Sequence, residues 1–344
     1  MGCNLKDLLV RKTIALEELH GKTLIVDGYN LLYQFLTTIR GPDGSPLTDQ
    51  EGNVTSHLVG LFSRTTKLLA AGIKLAFVFD GKPPALKLHE QQRRRRLKED
   101  AAEKYESAVN AEDLEGMKKY GGRTAYLTQE MVGEAKQLIR ALGCPVIDAL
   151  SEGEAQAAFM LDKENAYAVV SQDFDALLFG AGKVIRNLSI VGKRKKMGKL
   201  GFEIVQPEII DLAENLNALS IDRSQLIAVA MLIGTDFNVG GIPGIGPKNA
   251  IKKVQEFKHD FKALFESVAW EKFFDVSWKE VLDVFEHMPH TDTYSFQWSP
   301  PNLEEIKILL VDQHNFSQDR VTSSLTKFKK ETVSKVQKGL GEFF

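Results

Sequence analysis

Cysteine is nearly absent from this 344-residue chain: Cys3 and Cys144 are the only two, too few for a disulfide framework or a four-cysteine metal site. Its 11 prolines and 27 glycines follow no period, which excludes collagen-like repeats and wholesale disorder. No apolar run approaches the roughly 18–20 residues that a membrane-spanning helix needs, so no membrane association is expected. The opening MGCNLKDLLVRKT spreads charge through its short apolar stretch, unlike a secretory leader. Lys6 stands where a myristoylation signal has Ser or Thr. A soluble intracellular protein is therefore expected. There is also little excess charge of either sign, with 44 Lys and Arg against 46 Asp and Glu.

That balance hides a pattern. Residues 82–98 (KPPALKLHEQQRRRRLK) hold seven Lys and Arg against one Glu, and residues 193–199 (KRKKMGK) hold five and no acid. Acids must be in excess elsewhere. Separated blocks of opposite sign suit a protein that holds a polyanion and also binds cations.

Short apolar, β-branched runs at 23–27, 74–80, 144–148 and 167–173, with a weaker one at 183–190, read as buried strands. Helical patterns at about 54–71, 129–142 and 152–164 lie between them. The alternation predicts an α/β fold with a central, mostly parallel twisted sheet and helices on both faces. Residues 85–119 are helix-favouring but so charged that they predict an exposed excursion with too little apolar surface to join a core, mobile until a ligand binds. After about residue 207 the pattern reads as helical, thinning to a polar tail beyond about 317.

Three of the four clear strands end in acid: Asp27 in IVDGYN, Asp80 in FVFDGKPP, and Asp173 with Asp175 in VVSQDFDALLFG. Ligands of open α/β sheets bind beyond the carboxyl ends of the strands, so these acids are expected to converge. Glu152 and Glu154 in SEGEAQAA open a helix, and Asp236 in IGTDFN closes a later one. Singly, each is as readily a turn former, an N-cap or a helix-dipole partner. Together, seven carboxylates in one crevice could not all ionise without countercharge. All-oxygen donors select Mg²⁺ or Mn²⁺ over zinc. Two such ions about 4 Å apart form the clamp for in-line attack on a phosphodiester. No Ser/His/Asp, Cys/His or phosphate-loop arrangement competes, and His57, His89 and His259 share no local motif.

GGIPGIGPKNA (240–250) is a glycine-rich turn entering a helix. Gly244 and Gly246 permit close backbone approach, free N–H groups at the helix start can bind phosphate, and Lys248 adds charge. In the excursion, Lys87 and Arg94 lie seven residues apart, on one helix face. The chain closes QKGLGEFF, in which Gln337, Leu340, Phe343 and Phe344 fit the Q-x-x-hydrophobic-x-x-aromatic-aromatic peptide that docks on sliding clamps.

DGKPP, SEGEAQAA, SQDFDALLFG and GTDFN…GIPGIGPKNA occur in the order and at about the spacing of the flap endonucleases, which the whole chain resembles. The likeness implies a 5′-nuclease fold with a helical arch at about 82–128 and a helix-two-turn-helix DNA-binding element at about 224–256. It divides the chain into a nuclease region (1–99), the arch remainder (100–119), an internal nuclease region (120–258), a helical region (259–330) and a clamp-binding tail (331–344). It implies that Asp27, Asp80, Glu152, Glu154, Asp173, Asp175 and Asp236 hold two Mg²⁺, with Mn²⁺ as substitute, and that Lys87 and Arg94 act on the scissile phosphate. Arg93 to Arg96 form an unbroken run, in which a one-residue slip turns the side chain about 100° around the helix. Tyr33 matches the aromatic on which a base stacks, and Gly2 the processed N-terminal glycine. Arg40 and Thr55 match a pocket for a one-nucleotide 3′ flap. Arg64, Gly234, Gly244, Gly246 and Lys248, with Glu152 and Asp236, fall at DNA-contacting positions.

By the same likeness, the chain cuts 5′ flaps and has 5′→3′ exonuclease activity, in Okazaki fragment processing and long-patch base excision repair. Its partners are branched DNA and the sliding clamp (PCNA), and it acts as a monomer in the cytoplasm at the nucleoid, or in the nucleus of a eukaryote. Two alternatives stay open: an excision-repair or junction-cutting nuclease of the wider superfamily, and a clamp-bound scaffold that holds DNA without cutting it.

Overall fold

In the computed structural model, residues 3–190, 192–195 and 202–328 are described. Gly2 and the tail residues Gln337, Leu340, Phe343 and Phe344 lie outside them, as do residues 196–199 of the basic run 193–199.

The first half of the chain builds β1 (Lys12–Thr13), β2 (Thr23–Asp27), α1 (Gly28–Thr38), α2 (Ser56–Ala70) and β3 (Lys74–Phe79). The long helix α3 (Leu88–Asn110) and short α4 (Leu114–Gly121) follow, then α5 (Gln129–Ala141), β4 (Val146–Asp148), α6 (Gly153–Lys163) and β5 (Ala168–Val170). Next come α7 (Asp175–Leu178), β6 (Lys183–Arg186), the hairpin β7 (Gly192–Lys195) with β8 (Phe202–Val205), and β9 (Glu208–Asp211). Helices α8 (Leu212–Leu219), α9 (Arg223–Ile233), α10 (Pro247–Phe257), α11 (Phe261–Ser267), α12 (Trp278–Glu286) and α13 (Leu303–Lys307) complete the named elements.

Seven strands form one sheet in the order β1-β9-β6-β5-β2-β3-β4. The five from β6 to β4 are parallel, and β9 and β1 extend the edge antiparallel. Successive residues of each strand face opposite layers. Ile25, Ala76, Val78 and Val169 pack with α6, α7 and α9. Leu24, Val26, Phe77 and Val170 pack with α1, α2 and α5. Burial on both faces is why these strands read as unbroken apolar runs.

The chain leaves β2 for β3 and β4, then returns to lay β5 on the other side of β2, pairing Leu24 with Ala168 and Val26 with Val170. The strand order therefore reverses between β2 and β5. The loops there part in opposite directions and leave a crevice at the strands' carboxyl ends.

Two sequence expectations are corrected. Residues 208–211 are not helical: Ile210 and Ile209 pair with Val184 and Ile185 of β6 in an antiparallel edge strand. Of 183–190, only 183–186 is strand, and a 3₁₀ turn takes residues 188–190. The charged excursion stays outside both apolar clusters, as its composition implies: no residue of α3 belongs to either, and Ala101, Ala108 and the acid Glu90 are buried in a helix that packs mainly on α4. The excursion is helical except at residues 111–113.

Helix α1 starts at the crevice and is fixed from behind by α2, where Gly60 meets Phe35 and Ile39 so closely that a Cβ would overlap the Phe35 ring. Gly60→Ala is expected to lower the unfolding free energy by about 1–3 kcal/mol through overpacking. A denaturation midpoint equal to the unsubstituted chain's would refute this close approach.

Candidate active site

The seven acids named from the sequence all reach the crevice, each by an identifiable local route. Asp27 ends β2 and caps α1, its Oδ1 accepting from the Asn30 N–H at 3.0 Å. Asp80 follows β3 and accepts from the Gly153 N–H at 2.6 Å, so the start of α6 is pinned to the end of β3. Glu152 is the N-cap residue of α6 and Glu154 lies in its first turn. Asp173 and Asp175 follow β5, and Asp175 accepts from the Cys3 backbone at 2.8 Å. Asp236 lies three residues beyond α9, past Gly234, whose φ of +114° and contact with the Gly241 backbone exclude a side chain there.

Neutral side chains tie the acids together. Ser171 donates to Glu154 at 2.9 Å and approaches Asp27 at 3.5 Å, while its own oxygen accepts from the Asp173 N–H. Asn30 donates to Asp173 at 3.0 Å and accepts from the Gln172 N–H. Sequence reasoning missed both residues. Their only sequence signal is position: Asn30 lies in the first turn of the helix that Asp27 caps, and Ser171 two residues before Asp173.

The arch brings countercharge. Lys87, in the 3₁₀ turn that leads into α3, lies 2.5 Å from Glu152 and 3.5 Å from Asp236. Arg94 reaches Asp236 with one guanidinium nitrogen at 2.6 Å and holds Glu90 with another at 2.6 Å. Its neighbours in the basic run turn elsewhere, Arg93 to Glu90 and Arg95 to Glu99. Lys87 and Arg94 thus meet at one carboxylate from positions seven residues, about two helical turns, apart on the arch.

Burial followed by mutual repulsion dominates the electrostatics. Burial, with Asp80 alongside, pushes Asp27 up to about 8. Burial, with Asp236 and Asp173 alongside, pushes Asp175 up to about 7. Glu154 is raised well above the carboxylate range by burial and by Asp175, Asp27 and Asp173. Asp80 and Glu152 are also raised by burial, with Lys87 opposing the shift. Lys87 itself is raised: burial lowers it, but Glu152 and Asp236 more than compensate.

Such a donor set suits hard divalent cations, being oxygen-only and too crowded to ionise fully with two basic side chains as its countercharge. Among the described residues, no three of these acids close tightly enough to cage an ion alone.

The remaining candidates have local partners of their own. Tyr33, on α1, carries the Lys98 ammonium 4.7 Å from its ring centre, and Tyr126, two-thirds exposed, faces the same ammonium at 5.6 Å. Arg40 donates to the Leu36 and Gly44 carbonyls, with burial lowering its pKa. Buried Thr55 precedes α2, its N–H on the Leu47 carbonyl at 2.7 Å. Arg64 lies on α2, where it lines a small depression with Leu16 and Leu188. Gly244, at φ +80°, and Gly246, the N-cap of α10, both face open space, with Lys248 in the first turn.

Residues 4–101 match the XPG N-terminal domain and residues 143–236 the XPG I-region. Flap endonuclease 1 of Thermococcus onnurineus is 46% identical over all of this chain and 99% of its own length. That of Staphylothermus marinus is 45% identical over the whole of both. The chain belongs to the flap endonuclease family. The structure of flap endonuclease-1 from Methanococcus jannaschii superposes with a TM-score of 0.75 at 39% identity, covering 97% of this chain and all of that one. The catalytic core of Rad2 in complex with DNA substrate superposes at 0.69 and 25% identity over 95% of this chain and all of that one.

The family's nuclease fold accounts for the architecture, and the acids' burial generates a prediction about stability in the absence of cations. Asp27 and Asp175 have folded pKa values above those of the unfolded chain, so each holds its proton more tightly when folded. That contribution to stability is complete below about pH 4 and is lost as pH rises through about 7 and 8. In EDTA, Asp27→Asn is expected to stabilise the protein at pH 8.5, by on the order of 1–2 kcal/mol, and to do so far less at pH 5.5. Denaturant unfolding at the two pH values checks it, and equal effects would contradict the electrostatic account.

Proposed function

We propose that this nuclease is a structure-specific 5′ flap endonuclease that hydrolyses a DNA phosphodiester near the junction of single strand and duplex. The observation that carries the reading is the gathering of seven acids at the sheet's switch point beneath two arch cations, in a chain similar over its full length to flap endonucleases. Asp27, Asp80, Glu152, Glu154, Asp173, Asp175 and Asp236 would hold two divalent cations, Mg²⁺ by donor chemistry and Mn²⁺ as substitute. When bound, the cations supply countercharge to the acids, acidity to the attacking water and neutralisation at the leaving 3′ oxygen.

The chain's own residues do the rest. Lys87 and Arg94 donate to carboxylates that the cations would neutralise, so both are released to a phosphate entering between arch and crevice. Their charge then falls on the phosphoryl oxygens as the bond to O3′ breaks. Asn30 and Ser171 keep Asp173, Asp27 and Glu154 in register. Tyr33 offers its ring to a base that leaves the duplex when Lys98 gives it up. The Gly244–Gly246 turn, with the N-terminus of α10 and Lys248, grips duplex phosphates, so recognition is of shape and not of sequence. Arg40 and Thr55 receive the 3′ end of the upstream strand.

The tail motif at Gln337, Leu340, Phe343 and Phe344 supports docking on a sliding clamp. With DNA as substrate, the monomer would act at the nucleoid, or in the nucleus of a eukaryote.

A double-flap DNA incubated with Mg²⁺ is expected to give one cut about one nucleotide into the duplex, with none in EDTA and none on a plain single strand. Asp173→Ala is expected to lower the rate by roughly 10³-fold or more while retaining DNA binding. Lys87→Ala is expected to lower it by roughly 10²–10³-fold. Metal-dependent cutting that survives Asp173→Ala would sink the site. Duplex-arm binding energy drives the unpairing of the nucleotides beside the cut, so removing one arm is expected to reduce the rate at saturation as well as the affinity.

Removal of residues 337–344 is expected to abolish clamp binding in a pull-down and leave clamp-free cutting within about twofold. Undiminished clamp binding would exclude the tail as the docking peptide.

A further inference from the structure

A second ionisable cluster lies apart from the carboxylate crevice, on the α2–α5 side of the sheet. His57 of α2 is fully buried, with Nε2 3.3 Å from one oxygen of Glu134 on α5 and Nδ1 without a hydrogen-bond partner. The other oxygen of Glu134 lies 3.2 Å from His314 Nε2, and His314 Nδ1 lies 3.0 Å from Asp49 Oδ2. The Asp49 side chain is closed to solvent and also accepts from the N–H groups of Glu51 and Asn53 and from the Asn53 amide. Beside it, the Gln50 N–H donates to the Asn315 side chain at 3.2 Å.

The protonation states follow from the partners. A carboxylate only accepts, and an imidazole donates from both nitrogens only as imidazolium. His314, with a carboxylate at each nitrogen, makes both contacts only as the cation. His57 has one carboxylate, so the neutral ring that donates from Nε2 satisfies it, and the lone pair on Nδ1 is the atom left bare. Asp49 is buried, which pushes it up, but hydrogen bonds from His314 and Asn53 bring it down to about 2, so it stays an acceptor. The charged or titratable groups facing the His314 ring are Asp49 from the loop, Glu134 from α5 and, across Glu134, His57 from α2.

The loop so held joins α1 to α2 and carries Arg40 and Thr55 at its two ends. Bridges pair Arg40 with Pro46 and Thr48 with Val54, which makes it one small unit. Its other side rests on the arch, where Gly44 fits against the backbone of Met117 and Lys118 on α4 with no room for a side chain. One loop therefore touches the arch at Gly44 and the C-terminal segment at Asp49.

We propose that His314, clamped as a cation between Asp49 and Glu134, is a positioning residue that fixes the 41–55 loop, and with it the discrimination between flap substrates that carry or lack an unpaired 3′ nucleotide. The link to the 3′ nucleotide rests on the reading of Arg40 and Thr55 given above. Loss of the His314 proton removes one of its two contacts, so the loop loosens as pH rises. Lysine, with three donors on one cation, can hold both carboxylates without titrating in the same range.

The test uses the full chain. Double-flap DNA with and without the 3′ nucleotide is cut between pH 6 and 9, amide hydrogen exchange of residues 47–55 is followed without DNA, and the His314 ring is titrated by NMR. Protection of 47–55 and the substrate preference are expected to fall along the titration of that ring. His314→Gln is expected to lose about tenfold of the preference, the weight of a buried charged hydrogen bond, while cutting DNA without the 3′ nucleotide within about twofold of the unsubstituted rate. His314→Lys is expected to keep the preference and flatten its pH dependence. Loop protection that does not follow the ring's titration, or a His314→Lys protein that behaves as His314→Gln does, overturns the clamp. Protection that follows the ring while every variant keeps its preference overturns the assignment of Arg40 and Thr55 to the 3′ end and leaves the clamp standing.

Discussion

Negative charges converge on the place where the sheet's strand order turns, and the surrounding structure is arranged to tolerate them. Parallel strands send their carboxyl ends to one edge, so acids that follow β2, β3 and β5 must meet there. Buried like charges are costly unless paired or neutralised. The chain answers with what it has: backbone N–H groups of Asn30, Gly153 and Cys3, hydroxyl and amide donors from Ser171 and Asn30, and the cations Lys87 and Arg94. These hold the acids in place without discharging them. The remaining repulsion is a local cost to stability, of the kind that function imposes at active sites.

Much of this was legible in the sequence because burial and chemistry there share one signal. A strand buried on both faces is an apolar run, and an acid at its end stands out from it, as Asp27 and Asp80 do. Glu152 and Glu154 were legible for a similar reason, as two acids at the head of an otherwise alanine-rich helix. The supporting residues were not. Asn30 and Ser171 are ordinary turn formers until the fold sets them opposite acids more than a hundred residues distant or across a loop. His57 and His314 share no local motif, and only packing shows that Glu134 lies between them. The edge strand β9 was misread because four residues beside Pro207, running directly into α8, carry no alternation long enough to set a period. Its pairing with β6 is a tertiary fact.

The arch shows what composition alone leaves out of α3. Its surface is too charged to form a core of its own, yet small residues let it lie close, and Ala101 and Ala108 are buried where a larger side chain would hold the helix away. Glu90 matters more. It is almost fully buried and takes hydrogen bonds from both Arg93 and Arg94, with its pKa lowered by those two against the pull of burial. By anchoring one side of the Arg94 guanidinium, it leaves the other side directed at Asp236. Within the run of four arginines, a single buried acid on the preceding turn thus selects which one faces the crevice, a distinction invisible to a count of basic residues.

Chemistry and recognition are consequently built on different materials. The carboxylates sit on the rigid ends of central strands, where displacing one disturbs its neighbours through shared donors such as Ser171 and Asn30. The surfaces suited to DNA are peripheral and largely backbone: the open glycine turn before α10, the first turn of that helix, and the loop that spans from the arch to the C-terminal segment. Backbone groups carry no base-specific pattern, so contact through them reports the path of a duplex and not its sequence. A branched DNA can satisfy several such surfaces at once only when its arms leave the junction at the angles that the fold sets. Rigid connections between the surfaces, of which the arch–loop–C-terminal contact is one, are therefore what turn many weak phosphate contacts into recognition of a shape.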